Sequence, residues 1–290
     1  MNALLTDSDF IGKLESLYLL ARKVLGGSLQ ADRKSRKKGA GIIFADYSEY
    51  SLGDDYRAID WRIYARFETL IIKMFELEED AIIYLLIDCS RSMESKFFFA
   101  RQLAAALGYI GLNCLDRVAV YGISEGLKNV FDPCRGRGKV FSLLKSLEKL
   151  EVYGKDTDFE SSIKEFQARH SRKGVVIIIS DFLYPNGFER GLKLLQWNRH
   201  EIFCLQVQDQ QDYECDLKGD VELECIESSN RVKVTVSPKE AQKYKEAVNE
   251  WNQGLNRFCA RGGIGLASTS PDHAFESVVE DILRRGGLVR

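Results

Sequence analysis

The apolar run Ala81-Ile82-Ile83-Tyr84-Leu85-Leu86-Ile87 stops at Asp88-Cys89-Ser90-Arg91-Ser92-Met93. A short apolar segment of this kind reads as a buried strand, and α/β sheets bind their ligands at the carboxyl ends of such strands. Beyond this strand stand one carboxylate and two hydroxyls at alternate positions, all hard oxygen donors. Asp-x-Ser-x-Ser at a strand end therefore predicts a site for a hard cation.

The rest of the chain supplies the sheet. Helical spacing over 96–115 is followed by strand 117–123, a tight turn at Glu125-Gly126, strand 127–132 and helix 138–150. Then come a loop at 151–157, helix 159–170, strand 174–180, helix 187–198 and strand 201–207. An acidic, irregular stretch with short strands covers 209–236, and helix 238–261, strand 264–268 and helix 272–285 complete the body. Strands alternating with helices predict a mostly parallel central sheet with helices on both faces, and the hairpin 117–132 puts one antiparallel strand at its edge.

The amino-terminal part is different. Phe10, Leu14, Leu17, Tyr18, Ala21, Val24 and Leu25 mark an amphipathic helix over 8–25 that Gly26-Gly27 is expected to end. The basic run Arg33 to Lys38 has one reading as an anion or nucleic-acid contact, but it lacks interleaved aromatics and reads more readily as a solvated mobile loop. Residues 47–66 pack charges and aromatics densely, which predicts a fixed polar network of Asp55, Arg57, Asp60, Arg62 and Arg66 around a core Trp61. Leu70 to Glu76 reads as a strand that turns through Glu78-Glu79-Asp80 into 81–87 as its antiparallel neighbour. The expected division is an amino-terminal segment 1–69 draped on a main domain 70–290.

Two further strand-edge segments bear oxygen donors: Thr157 in Gly154-Lys155-Asp156-Thr157-Asp158, and Asp181 at the end of strand 174–180. Adjacent parallel strands bring such ends together, so Asp88, Ser90, Ser92, Thr157 and Asp181 are expected to surround one cation. Few carboxylates, several hydroxyls and retained waters suit Mg²⁺, with another divalent ion as a variant. Asp88 and the serines also have a plainer reading as caps of the helix that follows, and Asp181 as a turn residue.

This pattern resembles the metal-ion-dependent adhesion site of von Willebrand factor type A domains. Gly53-Asp54-Asp55-x-Arg57-x-Ile59-Asp60-Trp61-Arg62-x-Tyr64-Ala65-Arg66 is similar to the signature of the MoxR-associated family called domain of unknown function 58, and the likeness runs from about 39 to 185. The resemblance implies a Rossmann-like type A fold in which Ser90, Ser92 and Thr157 touch the metal directly while Asp88 and Asp181 act through water. It also implies that the sixth ligand is an acidic residue of a partner protein. Relatives encoded beside MoxR-type AAA+ ATPases imply a non-enzymatic cofactor or adaptor role in a chaperone-like assembly. No hydrophobic anchor of the kind many relatives carry is expected here.

Composition removes other classes. A formal charge of −2 exerts no overall pull on nucleic acid or anionic lipid, and three His in 290 residues leave little for imidazole catalysis. Seven Cys without a Cys-x-x-Cys pair fit a reducing compartment, here read as the cytosol. No apolar run reaches the length of a membrane span. A Mg²⁺-dependent phosphatase of the haloacid dehalogenase type is the enzymatic alternative, but it needs a second carboxylic acid where Ser90 stands. Arg135-Gly136-Arg137-Gly138-Lys139 lacks the spacing of a phosphate-binding loop, and no His neighbours the strand ends in sequence. A metal-independent scaffold is the remaining alternative.

Overall fold

The computed structural model describes residues 5–35, 42–51, 54–77, 82–114, 116–154, 158–213, 219–224 and 231–285. They group into two compact units, Met1–Gly26 with Ala81–Arg290, and Gly27–Asp80.

The larger unit is built on a six-stranded sheet. Its strands are β3 (Ile82–Asp88), β4 (Arg117–Ile123), β5 (Leu127–Arg135), β6 (Val175–Ser180), β7 (Glu201–Val207) and β10 (Gly265–Thr269), in the order β10-β7-β6-β3-β4-β5. Every pairing is parallel except β4 with β5, which makes β5 the antiparallel edge that the hairpin pattern predicts. β3 is central and buried along nearly its whole length, which is why its sequence is a continuous apolar run and not an alternation. Edge position also explains Pro133: it lies where the β4–β5 register shifts between Val118/Cys134 and Val120/Phe131, so it removes no ladder hydrogen bond from an inner strand.

Helices cover both faces. One face of the sheet packs Tyr84, Leu86, Tyr121 and Ile178 against Phe159, Ile163 and Phe166 of α5 (Phe159–Arg169) and Leu192 and Leu195 of α6 (Glu189–Trp197). The opposite face receives α3 (Phe97–Asn113), which is apolar almost all round because it is buried almost all round. A Cβ on Gly111 of α3 would stand 2.8 Å from Val118 Cγ2 and 3.0 Å from Ile83 Cδ1, so the helix lies closer to the sheet than a side chain permits. α4 (Val140–Glu148) and α9 (Phe275–Arg285) flank α3. α8 (Pro238–Gly262) packs Leu255 and Cys259 into the first face and ends on Gly263 at φ 64°. A short helix α7 (Gln210–Tyr213) and an antiparallel pair of β8 (Gly219–Glu224) with β9 (Arg231–Val236) lie within the acidic stretch.

The amino-terminal helix α1 runs over Ser8–Ser35, ten residues past its expected stop. Two glycines cost a helix about 1 kcal/mol each relative to Ala but do not oblige it to end, and good helix formers follow them. Phe10, Leu14, Leu17 and Ala21 are buried, with Phe10 5.2 Å from the Phe275 ring and Lys13 Nζ 2.8 Å from Glu276. Of the basic run, residues 36–38 lie outside the described residues.

The smaller unit pairs β1 (Ile42–Glu49) with β2 (Ile71–Leu77) in an antiparallel ladder, joined by the bridge Ile59↔Ile72. β2 is thus not the antiparallel neighbour of β3; both edges of β3 are taken by β4 and β6. The division at 69/70 would separate β2 from β1, its only ladder partner among the described residues. Between these strands lie a 3₁₀ turn (Tyr56–Ala58) and α2 (Trp61–Phe67). Asp55 caps the turn by accepting from Arg57 N, and Asp60 caps α2 by accepting from Arg62 N at 3.0 Å. The arginine side chains of the predicted network are exposed, Arg57 lying over the Tyr56 ring, and Trp61 is 60% exposed and not core. Asp55 and Asp60 thus cap two successive turns within 54–66.

Candidate functional site

The end of β3 places Asp88 fully buried. Its Oδ1 accepts from Ser90 N at 3.0 Å, and its Oδ2 accepts from Ser180 Oγ at 2.7 Å. Because β6 is hydrogen-bonded directly to β3, Ser180 and Asp181 arrive beside Asp88. Burial, and then the charge of Asp181, raise the Asp88 pKa to about 6.

Ser90 and Ser92 flank the exposed Arg91 at the start of a 3₁₀ turn (Arg91–Met93), with Ser90 buried and Ser92 half-buried. Their Oγ atoms are 3.0 Å apart. The loop at 151–154 is stitched to the same corner: Tyr153 N donates to Cys89 O at 2.8 Å, and Ser124 Oγ donates to Tyr153 O at 2.8 Å. Gly154, at φ 88°, follows. Thr157 lies outside the described residues, and the chain resumes at Asp158, whose N–H donates to Ser124 O at 3.2 Å and whose carboxylate caps α5. Asp88, Ser90, Ser92 and Asp181 are thus gathered at one corner of the sheet.

Sequence reasoning missed the group that holds Asp181. Lys96, at the residue before α3, is 1% exposed; its Nζ donates to Asp181 Oδ2 at 3.0 Å and to Asp212 Oδ1 and Oδ2 at 3.0 and 2.8 Å. Burial opposes the ammonium charge, but Asp181 and Asp212 outweigh it and raise its pKa. Asp181 Oδ1 accepts from Leu183 N at 3.0 Å. Asp212 sits in α7, far away in sequence and with no motif around it. Ser180 was also missed, although a hydroxyl one residue before a strand-end Asp is a visible signal. Tyr184, fully buried against Asp88 and Ser180, has a hydroxyl without a well-formed hydrogen bond among the described residues.

Among the described residues no three of His, Cys, Asp and Glu form a metal cluster, so a cation held here would rely on hydroxyls. The donor set fits one. The hydroxyls of Ser90 and Ser92, hydrogen-bonded to each other at 3.0 Å, stand about as far apart as neighbouring oxygens around an octahedral ion with ligands at about 2.0–2.1 Å. The Tyr184 hydroxyl beside Asp88, without a well-formed hydrogen bond among the described residues, is a group that water held by such an ion would satisfy.

Among the described residues no helix is long and apolar enough to cross a membrane. An uncharacterized protein of Mycobacterium tuberculosis strain H37Rv is 25% identical over 287 residues, 96% of this chain and 89% of its own. One of Mycobacterium avium is 30% identical over 127 residues, 44% of this chain and 73% of its own. Of solved structures, the conserved hypothetical protein BatB from Bacteroides thetaiotaomicron superposes with a TM-score of 0.43 at 12% identity over 70% of this chain and 96% of its own. A von Willebrand factor type A protein from Catenulispora acidiphila gives 0.40 at 14% identity over 75% and 45%. Residues 46–253 match the sequence profile described as "Protein of unknown function DUF58", and this chain belongs to that family.

Proposed function

We propose that this chain is a non-enzymatic protein-binding module that captures a partner through a Mg²⁺ ion at the carboxyl end of the sheet. Ser90, Ser92 and Thr157 would hold the ion directly, with Asp88 and Asp181 orienting its waters. When bound, the ion supplies an electrophilic position for a carboxylate oxygen of the partner. The observation that supports this reading is the pair of hydroxyls 3.0 Å apart beside the buried Asp88. Three neutral hydroxyls leave the direct ligand sphere without an anion, so an Asp or Glu from outside completes it. The signature at 53–66 extends the reading to a MoxR-type AAA+ ATPase as partner and to an adaptor role in its assembly.

The test is capture of purified MoxR-type ATPase by the full chain in Mg²⁺ and in chelator. Ser90→Ala with Thr157→Ala should abolish the Mg²⁺-dependent fraction while circular dichroism stays unchanged. Equal capture by parent and double variant in both conditions would sink the mechanism. Robust turnover of p-nitrophenyl phosphate would promote the phosphatase reading instead.

A further inference from the structure

The adhesion-type reading makes no use of the ammonium buried at its own edge. A Lys that is 1% exposed persists only where carboxylates hold it, and among the described residues Lys96 has two. They are not equivalent. Asp181 offers one oxygen, its other being taken by Leu183 N. Asp212 offers both, at 3.0 and 2.8 Å.

Asp212 is also firmly seated. Its Oδ2 accepts from Asp209 N at 2.9 Å, its backbone carbonyl accepts from Tyr244 OH at 3.1 Å, and Asp209 is tied to the start of α3 through Ser95 Oγ at 2.5 Å. Lys96 can therefore give up Asp181 and remain paired. Asp181 in turn is the carboxylate that a divalent ion beside Ser90 and Ser92 would draw on through water. An ammonium at 3.0 Å cancels much of that carboxylate's pull at short range.

We propose that Lys96 is a built-in counter-cation that competes with the divalent ion for Asp181, holding the site's intrinsic metal affinity low so that firm metal binding awaits the partner's carboxylate. This rests on the metal reading above. Asp212 is the seat to which the ammonium withdraws when Asp181 turns to the metal's waters.

The experiment titrates the full chain with Mn²⁺ alone, reading free Mn²⁺ by electron paramagnetic resonance, for the parent, Lys96→Met, Asp212→Asn and Ser90→Ala. Lys96→Met keeps the aliphatic bulk and removes the charge; it should bind Mn²⁺ at least ten-fold more tightly than the parent. Asp212→Asn leaves the ammonium with Asp181 as its only carboxylate among the described residues and should weaken binding several-fold, which keeps the test alive if Lys96→Met does not fold. Binding by Lys96→Met with none by the parent supports the competition in its strongest form. Lys96→Met within two-fold of a parent whose binding Ser90→Ala abolishes would overturn the role of Lys96 and leave the metal site standing. Asp212→Asn equal to or tighter than the parent also overturns it. No Mn²⁺ bound by either parent or Lys96→Met overturns the metal reading and this inference together.

Discussion

Ser180 Oγ donates to Asp88 Oδ2 at 2.7 Å and accepts from Phe182 N at 2.8 Å, so one buried hydroxyl couples the end of β3 to the turn after β6. That coupling aligns the two strand ends on which the candidate site is built, because Asp181 lies between Ser180 and Phe182 in the chain. Phe182 adopts φ 59°, a conformation that the surrounding bonds must hold.

Ser180→Ala should destabilise the protein by about 1–3 kcal/mol, since it leaves a buried carboxylate oxygen and a buried N–H without their partner. Ser180→Thr keeps the hydroxyl and should lose less. Urea unfolding monitored by circular dichroism checks both, and an alanine variant as stable as the parent would mean the coupling carries no weight.

Asp88→Asn should leave stability in chelator unchanged or slightly higher. The reason is that burial, and next Asp181, already disfavour the Asp88 charge and raise its pKa to about 6. The same variant should lose any Mg²⁺-dependent thermal shift. For the parent, an ion at ten times its Kd adds about 1.4 kcal/mol. Differential scanning fluorimetry with and without Mg²⁺ reads both effects.

Gly154→Ala tests the loop that leads toward Thr157. A Cβ there would stand 2.1 Å from Ser124 Oγ, which is engaged with Tyr153 O, and the φ of 88° is itself adverse to a side chain. The expected cost is about 1–3 kcal/mol. Adding Ser124→Ala relieves the clash but not the backbone strain, so the double variant should be more stable than the sum of the two losses predicts.

Acid should weaken the fold partly through His170 and His200. Both rings sit against Tyr84 and Phe166, and burial lowers both pKa values below 6.5. The unfolded chain then takes up protons that the folded chain refuses, so stability falls as pH drops below about 6.5 toward the lowered folded values. His170→Phe loses no hydrogen bond at Nε2, which has no partner among the described residues, and should flatten this dependence while keeping stability at pH 7.5. An unchanged slope between pH 7 and 5 would assign the acid sensitivity elsewhere.

The strands and helices of the main sheet, and the strand ends bearing Asp88, Ser90, Ser92 and Asp181, are legible in the chain alone. Those features are local. A buried parallel strand must be a continuous apolar run, and the residues just beyond it are fixed to its carboxyl end by covalent connection alone. Pairing and burial over distance were left to the tertiary structure. β2 takes β1 as its neighbour because β3 already has two, which no pattern within 70–87 records. Trp61 is exposed although its composition resembles core, since a ring on a short capped helix is buried only if another element covers it. Lys96 reads as an ordinary helix-start lysine until the fold sets it against carboxylates 85 and 116 positions away, because opposite charges choose partners by distance in space and not along the chain.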